Sequence, residues 1–223
     1  MSRGEMRNAV LLGATGLVGG HCLELLLADP AYGRVTTLGR RASGRTHPRL
    51  DERVGEVDRL LDELAEFEGA DLFCCLGTTI RAAGSQEAFR RVDHDIPVHA
   101  AQVASAGGAR QFLLVSAAGA DAGSRVFYNR VKGETEAEVA AFPFAGVALL
   151  RPSLLLGARR ERRPAEAAAQ KVAPLLAPLL VGPLRKYRAI HASVVAAAMV
   201  KLAKEGVRGT RVLESDQIER LGR

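Results

Sequence analysis

The chain has 223 residues, 48% hydrophobic and 25% charged, which is the balance of an ordinary globular protein and excludes a disordered chain, a collagen-like repeat or a disulfide scaffold. At that length one domain spanning 1–223 can bury a sizeable core without metals or disulfides. Lys and Arg outnumber Asp and Glu by 31 to 25, a net charge of +6 that suits anionic ligands, while 4% aromatics and no Trp make poor base-stacking surfaces and argue against nucleic acid.

Apolar runs and helical stretches alternate down the chain. Ala9–Leu12 reads as a buried strand, and Leu17–Ala28 as a helix with Leu23, Leu26 and Leu27 on one face, stopped by Asp29-Pro30. Between them lies Gly13-Ala14-Thr15-Gly16-Leu17-Val18-Gly19. Glycines at this strand-to-helix turn permit a tight bend and close backbone approach, and the helix start offers free N–H groups to a pyrophosphate. Such turns also occur without a ligand, but one that opens a βαβ unit at the N-terminus points to nucleotide binding. The candidate contacts here are Gly13, Thr15, Gly16, Leu17, Val18 and Gly19.

A second strand, Arg34–Leu38, runs into Gly39-Arg40-Arg41. An acidic residue at this end would accept from the ribose 2'-hydroxyl of NAD. None is present, and Arg40 with Arg41 can clamp a 2'-phosphate, so NADP is expected over NAD. The preference for arginine over lysine is chain-wide (only Lys132, Lys171, Lys186, Lys201 and Lys204 are lysines), so the missing carboxylate is the firmer half of that argument.

A weak strand near Arg53–Gly55 precedes a helix over 57–67 with Leu60, Leu61 and Leu64 on one face. Asp71–Leu76 is a strand continuous in apolar residues, ending in Leu76-Gly77-Thr78 at the edge where such sheets bind ligands. Gly84-Ser85 opens a long helix through Ala106, Gln111–Val115 is a strand that ends at Ser116, Ser124–Ala141 a helix and Val147–Leu150 a strand. Strands apolar on both faces and separated by helices give a Rossmann-type α/β fold, a doubly wound parallel sheet with helices on both faces. After Arg151 the pattern changes. Residues 152–184 hold five of the nine prolines and the arginines Arg159, Arg160, Arg162 and Arg163, and 152–190 is expected to form a substrate-side elaboration. His191–Lys204 then reads as an amphipathic helix and Thr210–Leu213 as a short strand.

On the helix after the fifth strand, Tyr128 and Lys132 lie four apart and share one face, so an ammonium beside a phenol can favour its deprotonated form. A Rossmann methyltransferase would have no use for that pair. Cys22, Cys74 and Cys75 offer no disulfide framework or metal spacing, and neither do His21, His94, His99 and His191, so no metal is expected and the cysteines read as core residues in a reducing compartment. The early apolar run is too short for a secretory signal, and Val172–Val181 is broken by Pro174 and Pro178, so a cytoplasmic protein with no membrane segment is expected.

The glycine turn, the Tyr128/Lys132 pair and the stretches Leu114–Asp121, Tyr128–Glu136 and Leu150–Gly157 together resemble the short-chain dehydrogenase/reductase superfamily, in its atypical branch of NmrA-like proteins and Tat-interacting-protein oxidoreductases. The resemblance implies NADP(H)-dependent hydride transfer to or from a carbonyl or alcohol carbon of a small molecule. In it Tyr128 is the acid/base, Lys132 holds the nicotinamide ribose, a serine orients the substrate oxygen, and Pro152, Ser153 and Leu154 border the nicotinamide. Epimerisation through a keto intermediate would use the same groups. Family members often carry paired serines after the fifth strand, whereas this chain has Ser116-Ala117; Ser116 is the candidate hydroxyl, with Ser124 and Thr78 as substitutes. Atypical members also include weakly catalytic redox sensors and partner-binding proteins, the alternative class.

Overall fold

Seven strands pair entirely in parallel, as apolar runs flanked by helical segments require. The computed structural model describes residues 6–64, 67–157 and 187–223. The strands are β1 (Arg7–Leu12), β2 (Tyr32–Gly39), β3 (Leu50–Val54), β4 (Asp71–Cys74), β5 (Gln111–Val115), β6 (Gly146–Arg151) and β9 (Gly209–Glu214), in the order β3-β2-β1-β4-β5-β6-β9. β7 (Leu155–Leu156) and β8 (Ile190–His191) form a separate parallel pair.

Alternate residues of each strand feed two cores. Ala9, Leu11, Val35, Phe73, Leu113 and Leu150 face helices α1 (Leu17–Ala28) and α7 (Ala192–Glu205). Val10, Leu12, Leu38, Leu72, Phe112 and Leu149 face α2 (Val57–Asp62), α5 (Ile96–Ala106) and α6 (Phe127–Ala141). Two covered faces explain why the strands are apolar throughout and not alternating.

The order of strands reverses between β1 and β4, the switch point at whose carboxyl ends an open α/β sheet leaves a crevice. Register places Leu12 beside Cys74 and Cys74 beside Leu114, so the Gly13 turn, the segment after Cys75 and Ser116 all emerge on one edge.

The long helix expected from Ser85 to Ala106 is built in three parts. Ser85 caps its start by accepting from the Ala88 N–H at 3.1 Å, α4 (Gln86–Arg90) follows, and a π turn (Arg91–Asp95) leads into α5. The helix expected from Ser124 starts at Phe127. Asp121 accepts from the Gly123 N–H and Ser124 Oγ from the Val126 N–H, side-chain turns that compete with helical bonds. α2 ends at Asp62, short of Phe67, although Leu61, Leu64 and Phe67 are all buried as that face requires. Among the described residues two helices are additional, α3 (Ile80–Ala83) and α8 (Ser215–Gly222). Of the elaboration expected over 152–190, residues 152–157 and 187–190 are described, and Arg159, Arg160, Arg162 and Arg163 lie outside the described residues. Among the described residues no helix is long and apolar enough to cross a membrane.

Candidate active site

The glycines of the first turn are there for space. Gly13 has φ +83°, and a Cβ on it would lie 2.6 Å from the Cys75 carbonyl oxygen. A Cβ on Gly19 would lie 2.0 Å from the Gly13 carbonyl oxygen, so α1 can start this close to β1 only without a side chain at that position. The Gly16 N–H closes the turn on the Gly13 carbonyl at 2.9 Å. α1 has no side-chain cap and no acidic residue in its first turn, which leaves its N-terminal N–H groups and positive dipole end to an anion.

Beside this turn a cleft is lined by Gly13, Ala14, Thr15, Leu38, Gly39, Arg40, Arg41, Val57 and Leu76. The arginine side chains are exposed at its rim. Val18 and Gly19 are buried beneath the turn, and Leu17 packs at Gly157, bringing the segment after β6 against the start of α1.

Tyr128 is half-buried on the first turn of α6, its ring tilted against Phe89 at a centroid distance of 5.4 Å. One turn later Lys132 is 4% exposed and its Nζ lies 2.8 Å from Oδ1 of Asp93, which is 1% exposed. The other oxygen of Asp93 accepts from the Thr78 N–H at 2.9 Å. Burial alone would push the Lys132 ammonium toward neutrality, but the Asp93 carboxylate, with Tyr128 beside it, outweighs that and holds the lysine above its usual value. α6 packs closely on the loop after β5 because of Gly133, whose Cβ would stand 2.1 Å from the Ala122 nitrogen.

Ser116 is 5% exposed, and its Oγ is buried with no hydrogen-bond partner among the described residues. A buried hydroxyl with no protein partner is uncommon, and this one lies at the carboxyl end of a central strand. The two substitute hydroxyls have local contacts, Ser124 Oγ with the Val126 N–H and Thr78 Oγ1 with the Thr79 carbonyl at 3.5 Å. Pro152 is buried, with its carbonyl accepting from the Ala118 N–H. The Ser153 hydroxyl donates to the Arg188 carbonyl and lies 3.1 Å from Ser215 Oγ, so what this position offers a ligand is backbone. Leu154 binds the Ile190 N–H through its carbonyl, and Gly77 is exposed beside Asp93.

The cysteines pack as core. Burial pushes the Cys74 thiol up to about 12, and a hydrogen bond donated by the Cys75 thiol to Cys22, together with burial, holds Cys75 well above the usual thiol range, so neither is an activated nucleophile.

Asp93 is the site residue that sequence reasoning missed. Its signal was present: Phe89, Asp93, Pro97 and Ala101 are spaced by four and all buried, and a carboxylate within an apolar series implies a buried partner.

No family model matches the chain. Among curated proteins it is 39% identical over 172 residues to the protein fmp52, mitochondrial, of Emericella nidulans, covering 74% of each chain. To the protein HTATIP2 of Rattus norvegicus it is 37% identical over 171 residues, covering 75% of this chain and 70% of that one. With the protein fmp52-1, mitochondrial, of Aspergillus terreus the identity is 34% over 223 residues, covering 97% and 96%.

Solved structures share the fold at low identity. The UDP-glucose 4-epimerase of Thermotoga maritima with UDP-glucose superposes at a TM-score of 0.69 and 15% identity, covering 96% of this chain and 81% of that one. DesIV, the dTDP-glucose 4,6-dehydratase of Streptomyces venezuelae with NAD and TYD bound, does so at 0.69 and 16%, covering 96% and 80%.

The relatives named mitochondrial overturn the expectation of a cytoplasmic protein. The cysteine spacing suggests only a reducing environment, and such an environment does not single out one compartment.

Proposed function

The chain belongs to the family of the Fmp52 and HTATIP2 proteins, in the atypical branch of the short-chain dehydrogenase/reductases, and we propose that it is an NADP(H)-dependent oxidoreductase acting on a carbonyl or alcohol carbon with Tyr128 as acid/base. The observation that carries the reading is a buried ammonium, Lys132, one helical turn from a half-buried phenol at the carboxyl edge of a switch-point sheet.

The residues present fit a nicotinamide dinucleotide. The glycine cradle at Gly13, Gly16 and Gly19 would close on any side chain, and the uncapped start of α1 faces the adjoining crevice. In this reading Gly13, Thr15, Gly16, Leu17, Val18 and Gly19 hold the pyrophosphate. Arg40 and Arg41 take the 2'-phosphate, Leu76, Gly77 and Thr78 flank the ribose, Lys132 binds the nicotinamide ribose, and Pro152, Ser153 and Leu154 border the nicotinamide. When bound, the dinucleotide supplies or accepts the hydride.

The chain's own residues handle the proton. In the reducing direction the Tyr128 hydroxyl gives its proton to the substrate oxygen as negative charge develops there, and the Lys132 ammonium stabilises the phenolate left behind. The Ser116 hydroxyl, which has no partner among the described residues, donates to the same oxygen. In the oxidising direction each group runs in reverse, and a hydride returned to the same substrate on its other face would give epimerisation.

A crystal structure with NADPH tests this placement. The reading requires the nicotinamide ring between the Tyr128 hydroxyl and the backbone of 152–154, with Ser116 Oγ within hydrogen-bond reach of the space above it. A nicotinamide directed away from Tyr128 contradicts it.

A further inference from the structure

Tyr128, Lys132 and Ser116 take the proton-handling roles at this edge, and beside them Asp93 is buried and held at three points. Its carbonyl accepts from the Thr135 hydroxyl of α6 at 2.9 Å. One carboxylate oxygen takes the backbone N–H of Thr78, and the other lies 2.8 Å from Lys132 Nζ. A single residue on the π turn therefore fixes both α6 and the turn after β4. A π turn widens the helix by one residue, and such insertions recur at functional sites.

The same contacts define an electrostatic problem and its solution. An unpaired ammonium buried this deeply would lose its proton and with it the positive charge that a phenolate needs nearby. Among the described residues three groups face Lys132: Tyr128 from α6 itself, the Cys74 thiol from β4, which burial holds neutral, and Asp93 from the π turn. Of these, Asp93 alone supplies an opposite charge at neutral pH. His94, the next residue, is turned to other carboxylates, Asp95 at 2.8 Å and Glu138 at 2.9 Å.

We propose that Asp93 is the positioning residue of this site, holding Lys132 as a permanent ammonium beside Tyr128 and tying it to the Gly77–Thr78 turn. The inference rests on the reading of Tyr128 and Lys132 as the proton-handling pair, and it extends that reading to a residue that touches neither substrate nor hydride.

The test is the titration of Lys132 in full-length protein labelled with 13C at lysine Cε. The chain has five lysines, and Lys132→Met identifies the signal by its disappearance. In the wild type the Lys132 signal should be that of an ammonium throughout the neutral range, with a midpoint above that of the exposed lysines. In Asp93→Asn the midpoint should fall by at least ~1 pH unit, a tenfold change in the protonation equilibrium, and Asp93→Glu should restore most of it. An unchanged midpoint in folded Asp93→Asn would overturn the proposal, since a purely structural role would change stability and leave the lysine's charge alone. Should Asp93→Asn not fold, the wild-type signal decides: a midpoint at or below that of the exposed lysines would overturn the assignment. The readout does not depend on turnover, and NADPH affinity measured on the same samples separates a failure of this proposal from a failure of the cofactor reading.

Discussion

Gly19 stands so close to Gly13 that a methyl group on it would lie 2.0 Å from the Gly13 carbonyl oxygen, a contact that relaxation of a side chain cannot relieve because both partners are backbone. Gly19→Ala should therefore displace the turn, lowering stability by roughly 1–3 kcal/mol and weakening dinucleotide binding. Its neighbour is the control. A Cβ on Gly20 would meet the nearest atom, the Ala14 carbonyl oxygen, at 3.6 Å, so Gly20→Ala should be neutral or stabilising by about 0.5–1 kcal/mol in α1. Urea unfolding of the two variants checks the contrast.

Cofactor choice follows from the end of β2. With Arg40 and Arg41 at the cleft rim and no carboxylate between Leu38 and Ala42, NADPH should bind at least ~10-fold more tightly than NADH, a charge-assisted contact being worth about 1.5–3 kcal/mol. Replacing both arginines by Ala should bring the two affinities together while leaving that for NADH in place. Fluorescence of the reduced cofactor reads this directly in a chain with no Trp. Equal affinities in the wild type would remove the case for NADP.

At the opposite end of the strands a buried polar network governs stability at high pH. The Tyr32 hydroxyl donates to Asp71 at 2.9 Å, and Asp71 is also held by Arg110 and Gln111. Burial first, and then the Asp71 carboxylate, raise the Tyr32 phenol far above its usual range. Below ~10, the unfolded value, the phenol is protonated in both states and its contribution is complete; above it the unfolded chain ionises while the folded chain resists, so stability falls as pH rises. Unfolding free energies across the alkaline range should show that decline, and Tyr32→Phe should flatten it.

Ser116 couples a cost in stability to a gain in function. Its hydroxyl is buried without a partner among the described residues, so Ser116→Ala should leave stability unchanged or raise it by up to ~1 kcal/mol. Turnover should drop by ~10- to 1,000-fold with NADPH affinity retained, because the hydroxyl acts on the reacting oxygen and not on the cofactor. Thermal unfolding paired with kinetics on the same preparation checks both signs. Activity that survives intact would transfer the role to Ser124 or Thr78.

The sheet was legible because its strands are apolar on both faces, and the first turn because glycine is the residue that close backbone approach demands, as Gly13 and Gly19 show. Element ends were less legible where side chains compete with the helix, as at Asp121 and Ser124, and α8 went unread because Ser215 and Ile218 are its only buried residues. Tyr128 and Lys132 could be paired by spacing alone. For Asp93 the apolar spacing signalled burial but not the partner, since Lys132 lies on another helix.

Tyr128 is the central residue, and the most direct measurement is NADPH consumption over a panel of aldehydes, ketones and nucleotide sugars by wild type and Tyr128→Phe. The substitution keeps the ring against Phe89 and removes only the transferable proton. A proton-donating Tyr128 predicts wild-type turnover on at least one compound and a loss of roughly 10²–10⁴-fold in the variant, with fold and NADPH affinity retained. Turnover that is present and unaffected in Tyr128→Phe would contradict the mechanism, and NADPH binding without turnover on any compound would favour a cofactor-binding sensor over an enzyme.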